Sequence, residues 1–322
     1  MTTYLNNRGV ALIIAVSIIG IIVILTLQFK KSMMSELYAA TNLNDGIMLE
    51  YVARSGFNCA LAVLHEDGKD TDSLLDTWAD FKEYSAYSAE LFENGLFFVE
   101  ITDLTGKIQI NSLINQDGNY NSKQKELLIR LLTSEEFDMD IDEAEDITDA
   151  IKDWIDKDDE VTRFGAEDSY YQSLESPYPC RNRSLESLDD LLLIKGISRD
   201  LYYGTDGDPG ISAYLTVRGK GQVNINTTDP EVLKILSDDM DQQMVEEIIS
   251  YRLDEDNDLN SSTWYKDALG TNEDIIDPGL ITTRSRYFEI TSTAFKDHIS
   301  RGIRAEIMRD AGTIIVLSWK PL

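Results

Sequence analysis

Histidine and cysteine are scarce, with two of each in 322 residues. Cys59 and Cys180 are too few and too far apart for a zinc site or a disulfide framework. Cys59 lies in an apolar run, the usual setting of a buried free thiol, so its pairing with Cys180 is left open. Only His65 and His298 could serve as imidazole bases, and no G-x-S-x-G, H-E-x-x-H or phosphate-loop motif is present. Paired carboxylates of a glycosidase need surroundings that push their protonation states apart, whereas here the acids crowd into one run. No enzyme is expected.

Basic residues are also few: 29 against 58 acidic, a net charge of −29. Such a chain repels nucleic acid and anionic lipid at long range, and a divalent cation is its better-matched partner. With 43% hydrophobic residues it can bury a sizeable core, and its length suggests two domains.

Charge is missing altogether from Val10 to Leu27, eighteen residues that as a helix reach about 27 Å, close to the hydrocarbon thickness of a bilayer. A secretory signal peptide has a shorter apolar region ending at small residues, whereas Gln28, Phe29, Lys30 and Lys31 follow here. Arg8 on one side and Lys30 and Lys31 on the other leave orientation undecided by charge. Lys31 to His65 contains no proline and is rich in alanine, leucine and methionine, so the helix is expected to run on. Its stretch from Ile47 to Leu64 is apolar on more than one face and should be buried against a sheet.

Strands are expected at Leu96–Thr102, Tyr287–Ala294, Ile303–Met308 and Thr313–Trp319, each rich in β-branched or aromatic residues. The last three form a meander, with the first nearly two hundred residues away. Between them, Thr105–Ile114 and Gly219–Leu236 each read as a short strand followed by a helix, the latter starting at Ser112 or at Thr228, Asp229 and Pro230. Ser184–Ser198 reads as a helix ending at Gly196. With Glu246–Arg252 these segments are similar to helix-hairpin-helix modules of DNA-binding proteins. Such modules grip phosphate with lysine, arginine and backbone amides, and here Asp238–Gln243 puts acids where a basic hairpin is needed.

Ser134 to Asp168 holds sixteen acidic and three basic residues. A solvated acidic face is one reading of such a run. Its dense centre, with Asp156, Asp158, Asp159, Glu160, Glu167 and Asp168 as candidate ligands, also suits calcium, which collects six to eight oxygens from a loop. The site would be irregular, because neither this run nor Asp254–Ser262 has the glycine and twelfth-position glutamate of an EF-hand. Asp153 could remain a helix residue, and Glu167 or Asp168 could pair with Arg163 or Arg181.

The leader MTTYLNNRG followed at once by the apolar helix resembles the type IV prepilin signature. That resemblance implies cleavage by a prepilin peptidase between Gly9 and Val10, and N-methylation of Val10. Most of that superfamily has glutamate as fifth mature residue; here the position is Ile14. The type II secretion protein K family of minor pseudopilins lacks that glutamate and carries a similar D-W-x-D-x-D…G-A-E-D-x-Y-Y motif, so the resemblance covers nearly the whole chain. It implies an α+β fold: a long pilin-like helix on an antiparallel sheet, with a large, mainly helical domain inserted in the sheet. The implied parts are a leader (1–9), a transmembrane helix (10–29), a helix extension and first strand (30–104), an inserted acidic domain (105–283) and the remaining strands (284–322). The implied role is at the tip of a type II secretion pseudopilus, supporting export of folded proteins across the outer membrane, with calcium in the insertion. Implied partners are other minor pseudopilins, the inner membrane and exported substrates, with the C-terminal domain in the periplasm. The alternatives are a calcium-binding minor pilin or adhesin of another type IV pilus-like system and, further off, a helix-hairpin-helix DNA-binding protein.

Overall fold

A computed structural model describes residues 8–67, 70–92, 95–205, 207–310 and 312–322. Helix α1 (Arg8–Glu66) is one unbroken rod. From Gly9 to Asn44 every residue on it is exposed. Its N-terminal part is long and apolar enough to cross a membrane. Residues 1–7 of the expected leader lie outside the described residues. The elements that follow in the chain are α2 (Phe81–Ser85), β1 (Leu96–Asp103), β2 (Ile108–Gln109), α3 (Ser122–Leu132), α4 (Ile141–Ile155), α5 (Asp168–Tyr171), α6 (Arg199–Tyr203), β3 (Leu215–Thr216) and β4 (Val223–Asn224). After them come α7 (Pro230–Ile235), α8 (Gln242–Arg252), α9 (Tyr265–Leu269), β5 (Ile281–Thr282), β6 (Tyr287–Lys296), β7 (Ile299–Asp310) and β8 (Thr313–Pro321).

The main sheet runs β1-β6-β7-β8 with antiparallel neighbours, so strands nearly two hundred residues apart pair in register, Val99 opposite Ser292. Its four strands are those expected from the sequence, and the α+β class holds. Leu49, Val52, Ala53, Phe57, Ala60 and Leu64 recur at three- and four-residue steps, which puts them on one helix face against Val99, Phe288, Ile290 and Ala305. Ser292 Oγ donates to the Ala53 carbonyl at 2.8 Å, and Phe57 meets Trp319 edge-on at 4.9 Å. Apart from Gly56, the rest of this stretch is not buried. Ile47, Tyr51 and Cys59 face outward, so Cys59 is an exposed free thiol, not a core one. A helix that is apolar all round need not be buried all round when lipid or another chain covers part of it.

Gly56 sits at the closest approach of α1 to the sheet. A Cβ there would come within 2.5 Å of Ser292 Oγ and 2.9 Å of the Phe97 ring. Gly56→Ala is expected to lower stability by about 1–3 kcal/mol, seen as a reduced urea midpoint with an unchanged slope.

The two sheet edges differ. Outer-edge amides of β1 are met by serines of the preceding segment, Ser85 Oγ accepting from Val99 N at 3.0 Å and Ser88 Oγ from Phe97 N at 2.9 Å. Strand β8 has no further strand beside it among the described residues.

Between β1 and β6 the chain builds a second core around Leu127, Leu131, Ile147, Ile151, Trp154, Leu233 and Ile248. Besides helices it holds two parallel two-stranded ladders, β2 with β3 and β4 with β5. Two expected helices are tighter than anticipated. Ser112 lies within a 3-10 turn, Ile110–Leu113, and Ser184–Ser198 forms a 3-10 turn, Leu188–Leu193. A capping box of Ser187 and Asp190 starts the latter, and Gly196 at φ 88° follows it. In the helix pair α7–α8, Arg252 is buried and donates to the Ile225 and Thr228 carbonyls at 3.2 and 2.8 Å, so it is spent inside the core.

The two cores meet at a buried polar junction. Asp103, ending β1, accepts from Thr227 Oγ1 at 2.5 Å, from Asn224 Nδ2 at 3.4 Å and from Ser285 Oγ. Ser285 N donates to Asp72 at 2.7 Å, and Arg309 reaches across to Asp72, to Asp67 at 3.0 Å and to the Leu64 carbonyl at 3.3 Å.

Candidate metal centre

Helix α4 carries two stripes. Ala144, Ile147, Ile151 and Trp154 face the insertion's core, while Asp149, Asp153 and Asp156, at steps of four and three, are all fully buried beside them. Asp142 and Glu143 in the first turn favour the helix by facing its positive end. The chain leaves α4 at Asp156 and returns after Gly165, which brings Glu167 back to Asp156. This return needs glycine for space: a Cβ on Gly165 would lie 2.1 Å from Asp153 Oδ2 and 2.9 Å from the Asp149 carbonyl. Gly165→Ala is accordingly expected to unseat Asp153 and to cost about 1–3 kcal/mol, measured by urea unfolding of the full chain.

Oxygens of Asp156, Asp158 and Glu167 lie within 4.8 Å of one another. That is the widest spacing allowed around a calcium ion with oxygens at about 2.4 Å. The arrangement leaves acceptors unsatisfied. Asp156 Oδ1 and both carboxylate oxygens of Glu167 are buried without a hydrogen-bond donor, as is Asn182 Oδ1. An unpaired buried carboxylate costs several kcal/mol unless it takes a proton or a cation, on the order of 1–3 kcal/mol or more per orphaned atom. Burial first, then the charges of Asp153, Asp156, Asp159 and Asp158, push the Glu167 carboxyl up to about 8. Asp153 and Asp156 are raised as well, burial outweighing the hydrogen bonds from Thr162 to Asp153 and from Lys152 to Asp156. Lys152 Nζ, 2.5 Å from Asp156 Oδ2 and 3.9 Å from Asp153 Oδ1, brings a single positive charge to these acids.

The other sequence candidates play different parts. Asp168 accepts from Cys180 N at 2.9 Å, and Asp159 accepts from Asn182 Nδ2 at 3.0 Å, so both tether the segment bearing Asn182. Glu160 is exposed and gives only its backbone N–H, to Asp158 at 2.9 Å. Arg163 pairs with Glu145 and Arg181 with Asp190, leaving Glu167 without either. Asn182 was not among the candidates. Its sequence signal is faint, an asparagine between two arginines, and only its left-handed φ of 45° singles it out. A second carboxylate group, Asp67, Asp72 and Asp76, also falls within 4.8 Å, but Arg309 occupies it through Asp67 and Asp72.

Of the N-terminal positions, Gly9, Val10 and Ile14 stand exposed on α1, with nothing within 4 Å of where a Gly9 Cβ would be.

The architecture is therefore a pilin-like one: a long helix, apolar enough in its first part to span a membrane, on an antiparallel sheet split by an acidic domain. Residues 106–204 match the family model of type II secretion system protein K. The chain is similar to the type II secretion system protein K of Aeromonas hydrophila, 29% identical over 72% of this chain and 70% of that one. It is similar also to that of Klebsiella pneumoniae, at 26% over the same shares. Its fold matches the crystal structure of the GspK-GspI-GspJ complex from the enterotoxigenic Escherichia coli type 2 secretion system, with TM-score 0.61 and 20% identity, covering 88% of this chain and 99% of the other. These likenesses in sequence and fold all fall on type II secretion protein K chains.

Proposed function

We propose that this protein is a minor pseudopilin at the tip of a type II secretion pseudopilus, where it supports export of folded proteins across the outer membrane. The observation that carries this reading is a single exposed apolar helix continuing without a break into a pilin-like sheet split by a large insertion. The role is structural, not catalytic. Ile14 supports the tip position, because a subunit lacking the fifth-position carboxylate loses least where no neighbour's terminal ammonium awaits it. The insertion agrees, being hard to repeat along a packed shaft. The relative solved as a complex with GspI and GspJ points to pseudopilins of those kinds as companions here. Contact runs through the exposed face of α1, where packing in lipid rests on van der Waals attraction. Calcium is held in the insertion by Asp156, Asp158 and Glu167, with Asn182 as a further oxygen donor. Bound there, the ion supplies charge neutralisation that lets the return loop fold against α4.

Processing by prepilin peptidase, with the body of the chain in the periplasm, is tested by mass spectrometry of the mature N-terminus. The expected residue is an N-methylated Val10; a chain starting at Met1, or beyond Lys31, overturns it. Site-specific crosslinking from exposed Leu37 and Tyr51 should capture a few minor companions in preference to the shaft subunit. Regular spacing of this protein along isolated filaments would overturn the tip assignment, and companions from another pilus system would favour a minor pilin or adhesin.

A further inference from the structure

We infer that a small basic cavity at the junction of sheet and insertion is a docking socket for an acidic side chain of a protein partner. The cavity measures about 170 Å³ and is walled by Lys220, Gln222, Arg284, Arg286 and Tyr287, with Gln109 and Gly219 at its back. No carboxylate lines it. That is unusual in a chain of net charge −29, and three other cavities, beside Asp189, Asp103 and Asp238, all have aspartate or glutamate in their walls.

Lys220 is held in place by its loop. It stands between Gly219 and Gly221, at φ 119° and 93°, conformations that favour glycine. Two buried glutamines clamp the turn. Gln109 accepts from Gly221 N and donates to the Gln222 carbonyl at 2.6 Å, while Gln124 donates to the Gly221 carbonyl at 2.6 Å. The backbone under Lys220 is thus fixed, yet among the described residues its ammonium has no hydrogen-bond or ion-pair partner. Arg284 and Arg286 are paired with Asp70 and Asp310, and neither of those acids reaches the cavity wall. One exposed, uncompensated cation beside two guanidiniums offers donors for a carboxylate.

The overall charge decides how that carboxylate arrives. A free anion approaching a surface of this sign is repelled and gains only one local contact, so it binds weakly. A carboxylate presented by a macromolecule is brought by its other contacts, and the socket then fixes register more than it adds affinity. The geometry stands whether or not the chain caps a pseudopilus.

The test is zero-length carbodiimide coupling on the full chain in membranes of the cells that make it, followed by peptide mass spectrometry. The expected result is an isopeptide bond from Lys220 Nζ to an aspartate or glutamate of another protein. It should be absent in Lys220→Arg, which lacks the primary amine, although the same protein still co-purifies; Lys220→Glu should reduce that co-purification at least about tenfold, because it sets like charges against each other. Coupling of Lys220 only within its own chain, or not at all, overturns the proposal. So does a melting temperature raised by millimolar inorganic phosphate in the native protein but not in Lys220→Ala, which would assign the cavity to a free oxyanion. Because the coupling readout assumes nothing about secretion, its failure is separable from failure of the pseudopilin reading.

Discussion

Calcium is expected to raise the melting temperature of this protein, chelation to lower it, and the paired change Asp156→Asn with Glu167→Gln to remove the response. The magnitude follows from linkage: a ligand present at about one hundred times its dissociation constant adds about 2.7 kcal/mol to a folded state that alone binds it. Magnesium, which gives up water reluctantly and demands octahedral geometry, does less. Protons make the prediction sharper. Glu167 is raised from its ordinary range to about 8, so its proton stabilises the cation-free fold fully below about pH 4.5, and that contribution is lost as pH rises through about 8. Chelated protein therefore melts lower at pH 8.5 than at pH 6. Calcium must displace that proton, so binding near pH 7 releases close to one proton and weakens up to about tenfold per pH unit on acidification. Titration calorimetry in two buffers of different ionisation enthalpy reads the release directly. In chelator at pH 8.5, Glu167→Gln alone is at least as stable as the native protein, because it removes a buried charge rather than a bond. A melting curve indifferent to chelator would return the acidic run to a solvated face.

Arg309→Ala is the most damaging single change expected outside the metal centre, at about 3–5 kcal/mol, the cost of leaving a buried charge without its partner. Arg309 lies over the Phe288 ring at 4.9 Å and bonds Asp67, Asp72 and the end of α1 at once. Asp72 is fully buried, and burial pushes its carboxyl up to about 6 even against the attraction of Arg309. Without the guanidinium it rises further. A raised carboxyl stabilises the fold below its unfolded value, about 3.8, and loses that contribution as pH climbs through the folded one. The deficit of Arg309→Ala should hence shrink between pH 7 and pH 5, and Asp72→Asn should restore part of it at neutral pH. Urea unfolding of the four chains of this double-mutant cycle measures both effects. An additive cycle, independent of pH, would mean that Arg309 acts through packing alone.

Much of this was legible because burial imposes periodicity. Leu96–Thr102 and Tyr287–Ala294 alternate as half-buried strands must, and the distance of the first strand from the three C-terminal ones announced the insertion. Where contacts are long-range and brief the sequence is mute: β2 and β3 share two residue pairs across more than a hundred residues, too short for any period to show. Ser184–Ser198 has helical composition, yet its capping box and Gly196, packed against Ile147, hold it to a 3-10 turn. The acidic centre was visible as a density of carboxylates, but density does not say which ones converge. Asp156 and Glu167 do so through a loop whose course depends on Gly165 having no side chain, and Asn182, which donates to the Asp158 carbonyl at 2.7 Å, comes from a segment with no acidic signal at all.

The unequal edges of the main sheet give the chain a valence of one for strand addition. At β1 two serines already take the outward amides of Phe97 and Val99, so an added strand finds the more open edge alongside β8, where Ile315, Val316, Leu317 and Trp319 are all partly exposed. A protein with two open edges can polymerise, each copy passing the ladder to the next. Here two copies meeting edge to edge would satisfy each other and stop. Mispairing of this sheet through β8 would thus favour a dimer over a growing ladder.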